Sequence, residues 1–217
     1  MNKLTLTAAA LLLAACSKGN NADKTTFEKT INRYASGNSV CLPIALSVQN
    51  HNGINIISTD TVLGEPVIKI VEKNLDGKNV NEQAIKQMQI LDSEGLYKKG
   101  ESETLNILGS KNNIKIRVYT LTEKGQARTR LTPQGPRFCL GKQTVKKINW
   151  FTEPAPYNGV IMTKVSYEAR FEPERWAEKL LKESGKDWAH AKQDVHQTAT
   201  LVKTNDGWRD IRELKQP

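Results

Sequence analysis

Hydrophobic and polar positions alternate most regularly near the carboxy-terminal third, where Ile161, Thr163, Val165, Tyr167, Ala169 and Phe171 share one parity. A period of two over a dozen residues predicts a long antiparallel strand with one face buried. Ile114, Ile116 and Val118 alternate with Lys115, Arg117 and Tyr119, a second half-buried strand that closes at Thr122-Glu123-Lys124-Gly125. Val145 to Phe151 and Thr198 to Lys203 read as further strands. Asn205-Asp206-Gly207 is a strong turn signal, after which Trp208 to Ile211 can pair back as a hairpin.

Helical spacing marks other stretches. Phe27, Ile31 and Tyr34 fall on one helix face behind a cap at Thr25 or Thr26, and Gly37-Asn38 ends that helix. Asn81 to Glu94 places Ala84, Met88 and Leu91 on one face, with Gly95 where a left-handed cap belongs. Pro173 opens a helix that turns Trp176, Leu180 and Leu181 inward and stops at Gly185. Pro66 to Leu75 fits either period; helix is preferred, because Pro66 suits a first turn and Asp76-Gly77-Lys78 then makes a short turn into the next helix. Cys41 to Leu46 is apolar, but Pro43 argues against a central strand. Ile54, Ile56 and Ile57 suggest a short buried strand after a turn at His51-Asn52-Gly53. Thr132-Pro133-Gln134-Gly135-Pro136 is a cluster of breakers and the best internal boundary.

The helix ending in Leu91-Asp92-Ser93-Glu94-Gly95-Leu96, the polar excursion after it and the strand ending in Tyr119-Thr120-Leu121-Thr122-Glu123-Lys124-Gly125 resemble the recognition helix and wing of winged-helix regulators. The resemblance covers residues 81–125 and implies a winged-helix-like shape. It does not carry DNA reading with it, since fold does not imply function. The candidate recognition helix bears Glu82, Asp92 and Glu94 against Lys86 alone. A helix entering a groove of phosphates is neutral or basic, because phosphate neutralisation supplies most non-specific affinity. No specific nucleic-acid binding is expected.

The amino terminus carries an address. Lys3 precedes a run, Leu4 to Ala14, that is apolar apart from Thr5 and Thr7; it is shorter than the ~20 apolar residues a spanning helix needs. Leu13-Ala14-Ala15-Cys16 is similar to the signal of bacterial lipoproteins, in which Leu, a small residue and Ala or Gly precede the modified Cys. The resemblance implies cleavage before Cys16, diacylglycerol (and acyl chains such as palmitate) at Cys16, and anchoring to a membrane through that lipid. Two or more acyl chains give a stable anchor where one is marginal. Ser17, where enteric lipoproteins retained in the inner membrane have Asp, favours the outer membrane, with the folded part in the periplasm. Ser17 to Lys24 holds no apolar residue larger than Ala and reads as a flexible tether.

Composition narrows the function classes. Without Met1–Ala15, 202 of the 217 residues remain, enough for one large or two small domains. The formal charge of +9, or +8 without Lys3, favours anionic neighbours in an envelope, though no polybasic run stands out and a merely solvated basic surface accounts for it. With Cys16 assigned to lipid, Cys41 and Cys139 remain, 98 residues apart. In an oxidising compartment an even pair suggests one disulfide; two buried free thiols are the alternative.

No catalytic residue emerges. The chain lacks a Gly-x-Ser-x-Gly elbow and a Gly-rich phosphate loop. His51, His190 and His196 show no ligand spacing with each other or with the cysteines, so neither a metal nor a cofactor is expected. Asp92 and Glu94 point to different helix sides, and Glu172 and Glu174 suit a positive helix start. Trp150, Trp176, Trp188 and Trp208, with Phe151 and Tyr157, either line a ligand groove or fill a core; the core is favoured.

The expectation is therefore an α+β chain. A signal (1–15) and tether (16–24) precede a helical, winged-helix-like domain (25–131). An antiparallel-sheet domain with one covering helix (136–215) follows. The expected role is a non-catalytic, lipid-anchored envelope module that binds or supports another envelope component, with an envelope protein as a possible partner. The competing class is an enzyme acting on cell-wall or lipid material.

Overall fold

The computed structural model describes residues 21–48, 62–185, 188 and 193–214. Cys16, His51, the Ile54–Ile57 stretch and His190 lie outside the described residues. The described fold is mostly antiparallel β, with a large curled sheet, a smaller second sheet and four short helices.

The larger sheet contains β1 (Val40–Leu42), β6 (Thr129–Thr132), β7 (Gly135–Phe151), β8 (Ala155–Tyr157), β9 (Val160–Pro173), β10 (Val195–Thr204) and β11 (Gly207–Asp210), with β1-β7-β9-β10-β11 as its path. Its centre is the pairing of β7 with β9, from Gly141↔Pro173 to Phe151↔Val165. Alternation in β9 sends Val165, Tyr167 and Ala169 inward, each at most 3% exposed, as the sequence period predicts. Two register shifts in β7, between Val145 and Lys147 and between Ile148 and Trp150, each insert an extra residue. Such bulges bend and twist a strand, which accounts for the curl. The breaker cluster at Thr132–Pro136 is a hairpin turn between β6 and β7, closed by Thr132↔Gly135.

The smaller sheet has β5 (Ile114–Leu121) between β2 (Val67–Lys73) and β3 (Tyr97–Lys99), with β4 (Glu103–Leu105) also on β5. The preferred helix over Pro66–Leu75 is thus corrected to a strand. Ile68 and Ile70 are both fully buried and pair opposite Tyr119 and Arg117, so burial follows a period of two. The β-branched run Val67-Ile68-Lys69-Ile70-Val71 suits that pleated surface better than a helix.

This correction removes the winged-helix reading. In place of a helix before the candidate recognition helix, there is a strand paired to the supposed wing. The recognition-helix candidate, α2 (Glu82–Ser93), buries Ala84, Ile85, Gln87, Met88 and Leu91, a face wide enough to meet both the small sheet and α4 (Arg175–Glu183). The face left exposed carries Glu82, Gln83, Lys86, Gln89 and Asp92, two acids against one base. Gly95, at φ 68°, provides the expected left-handed cap, and Leu96 N–H donates to the Leu91 carbonyl.

The single covering helix is also corrected. α4 joins one core with Ile68, Met88, Phe138, Leu140 and Phe171, so residues on both sides of the breaker cluster share that core. A second cluster forms where α1 (Lys24–Gly37) lies on β7 and β11, with Phe27 and Ile31 against Val165, Leu201 and Trp208. α1 is capped by Asp23, two or three residues earlier than predicted: its carboxylate accepts from the Thr26 N–H at 2.7 Å, which lowers the Asp23 pKa. The four-residue α3 (Glu123–Gln126) seats Gly125 against Leu96.

Candidate binding surface

Cys41 stands opposite Cys139 in the β1–β7 pairing, and their sulfurs are bonded. The expected disulfide is thus present, tying edge strand β1 to the starting end of β7.

The other end of β7 gathers a different set of features. α1 runs against β7 in the reverse direction: Lys24 Nζ donates to the Asn149 carbonyl at 3.4 Å, while Asn32 Oδ1 accepts from Val145 N–H at 2.8 Å. The chain therefore enters the fold beside Asn149–Phe151. Phe27 packs edge-on against Phe151 and Trp208, with centroids 5.0 and 5.2 Å away, fixing that entry point.

Beyond Phe151 the sheet narrows to a two-stranded finger. β8 pairs with β9 through Ala155↔Met162, Pro156↔Ile161 and Tyr157↔Val160, around an Asn158-Gly159 turn with both φ values positive. Asn-Gly is the pair that such a hairpin turn favours. From Thr152 to Thr163 the only charged residue is Glu153. Opposite residues of an antiparallel pair share a face. Tyr157 and Val160 therefore lie on one side of the finger, and Pro156 and Ile161 on the other. Tyr157 is 64% exposed, Val160 41% and Ile161 40%. Trp150, opposite Ser166 on the outer face at the finger's base, is 54% exposed. The other exposed large apolar residues among those described, such as Val67, Leu108, Leu131 and Val195, lie on separate elements.

The tryptophans do not form one groove. Trp176 and Trp208 are buried in different cores, Trp188 lies half-buried against the first core, and only Trp150 is on the surface. The signal for the finger, a twelve-residue stretch with one charge and two prolines, was present in the sequence but falls outside any catalytic or ligand motif.

Two clefts flank α1. One, of about 580 Å³, opens between its first turns and the β10–β11 turn; Asp23 and Asp206 there face Lys29 and Arg33, over Trp208. The other, of about 50 Å³, lies between the second half of α1 and the sheet. Arg212 in it makes two bonds to Asp210, at 2.8 and 2.6 Å, and stacks 4.1 Å above the Tyr34 ring. Tyr167 donates to Gln197 at 2.8 Å, and burial raises its pKa.

The carboxylates with shifted pKa values are engaged. The Arg117 guanidinium, 2.6 Å away, holds Glu72 at about 2, with Lys115 at 3.2 Å adding to the effect. Glu172 is lowered by hydrogen bonds from Thr144 and Lys146, and Asp194 by Arg170. The expected pairing of Glu172 with a helix start is therefore corrected: it lies on β9 bound to Lys146, while Glu174 stands at the N-cap position of α4 with its carboxylate turned to Arg128 and Trp176 rather than to the helix N–H groups. Asp92 accepts from Lys99 N–H, and His196 sits exposed beside Asn149. Among the described residues no group of three or more His, Cys, Asp or Glu is placed to hold a metal ion, and no helix is long and apolar enough to cross a membrane. Comparison with protein-family models, curated proteins and solved structures gives no match.

Proposed function

We propose that this chain is a lipid-anchored bacterial envelope protein, attached through Cys16 with its folded part in the periplasm, the outer membrane favoured. In this reading it is a non-catalytic module that binds or supports another envelope component. The observation that carries the binding role is the finger at β8–β9, an apolar, nearly uncharged projection of the kind that marks an interaction site. The Cys41–Cys139 bond supports an exported address, because disulfides persist in oxidising compartments.

Mass spectrometry of the mature amino-terminal peptide tests the anchor: acylated Cys16 is expected, and a peptide beginning elsewhere refutes it. Crosslinking in cells followed by capture of the lipidated protein tests the role. A membrane or protein contact mapping to residues 150–163 is the expected result. Turnover of cell-wall or lipid material by the purified protein would move it to the enzyme class instead.

A further inference from the structure

We infer that the β8–β9 finger rests in the interfacial layer of the same bilayer that holds the lipid, making a second, non-covalent contact. This rests on the lipid-anchor reading and names the bilayer as the finger's partner.

The geometry that supports it is the shared end of the molecule. Lys24, where α1 begins, is held at Asn149, on the side of the sheet from which the finger projects. The β10–β11 turn falls at that end too, since Val202 pairs with Met162. From the Phe151↔Val165 level to Gly159 are six residues of β9 strand and turn, roughly 20 Å at strand rise. From Cys16 to Lys24 are eight residues, whose extended reach is at most ~28 Å. A lipid on Cys16 can therefore lie in the plane that the finger tip meets, and a short tether keeps that end facing the membrane.

The finger's chemistry suits that plane. Apolar side chains on both faces fit insertion better than docking of one face on a flat protein. Tyr157, beside the tip, is of a residue type that concentrates where the hydrocarbon meets the head groups. Pro156 on β8 and Pro154 just before it remove backbone donors from the free edge, which disfavours strand addition by a partner. From Thr152 to Thr163 the finger itself carries a single charge, Glu153. The contact is therefore apolar rather than electrostatic and should resist salt.

The test uses the full lipidated protein in vesicles of phosphatidylethanolamine and phosphatidylglycerol. Val160→Cys, and separately Tyr157→Cys, are labelled with an environment-sensitive fluorophore. Leu131→Cys, 83% exposed in the β6–β7 hairpin at the other end of β7, is the reference. A cooperative chemical-denaturation transition matching that of the unsubstituted protein reports that each variant is folded. Labels at 157 or 160 should shift to the blue and be quenched at least twofold by nitroxide lipids, with no loss at high salt, while the label at 131 should not respond. Acylated Cys16 with labels at 157 and 160 as aqueous as that at 131 overturns the inference and leaves the anchor standing. Unmodified Cys16 with quenched labels overturns the anchor and upholds the finger. Labels shielded in cells but aqueous on protein-free vesicles identify a protein partner and overturn the inference.

Discussion

Cys41 and Cys139 face each other across β1 and β7, and the bond between their sulfurs closes a separation of 98 residues in sequence. β1 is three residues long and pairs only with β7, so this bond reinforces a short ladder at the edge of the sheet. Cys41→Ser with Cys139→Ser should lower stability by about 2–4 kcal/mol, the range for a native disulfide. Peptide mapping without reductant should find the linked pair; free alkylation of both thiols in native protein would show the bond absent in solution.

The pairing of Glu72 with Arg117 makes stability depend on acid pH. The folded-state pKa of about 2 lies below the ordinary value of 4.5, so the folded protein binds fewer protons than the unfolded chain. Its contribution is complete above about 4.5 and is lost as pH falls towards about 2. Glu72→Gln should flatten the fall of the denaturation midpoint over that window. An unchanged slope would remove Glu72 from the account.

Gly125 is required by contact rather than by turn geometry. A β-carbon there would stand 2.1 Å from the Leu96 carbonyl oxygen, on backbone that has no room to withdraw. Gly125→Ala should cost about 1–3 kcal/mol through overpacking. Gly37→Ala, with nothing within 4 Å, should change stability by less than about 0.5–1 kcal/mol. Equal effects at the two sites in chemical denaturation would contradict the packing seen at α3.

Met88 lies fully buried on α2, whereas Leu108 is fully exposed. Met88→Ala should cost about 2–5 kcal/mol and Leu108→Ala almost nothing. The exposed face of α2, with Glu82 and Asp92 against Lys86 alone, is acidic and should not read DNA. Titration with mixed duplexes near physiological salt should show no sequence preference, and selective binding at about 10⁻⁸–10⁻¹¹ M would overturn this.

Local pattern determined those elements whose partners merely complete what the residues already favour. The alternation from Ile161 to Phe171 made β9 legible, because one face had to be buried whatever covered it. Phe27, Ile31, Ala84, Met88 and Leu91 marked the buried faces of two helices, Gly95 the cap of the second, and Asn205-Asp206-Gly207 the β10–β11 turn, through backbone preferences that act within a few residues. The even pair of cysteines pointed to the bond that formed. Tertiary structure decided the rest. Val67 to Lys73 satisfies both periods, and pairing with β5 settled it as a strand, the state its β-branched run also favours. The breakers at Thr132–Pro136 signal a turn, but only pairing across Thr132↔Gly135 shows that the chain re-enters the same sheet. Trp150 and Trp176 are alike in sequence; one is exposed and the other buried because bulges in β7 turn Trp150 to the outer face while α4 folds Trp176 onto Phe138. The finger emerges by the same logic, since its apolar residues stay exposed only because β7 ends at Phe151 and leaves β8 and β9 to continue alone.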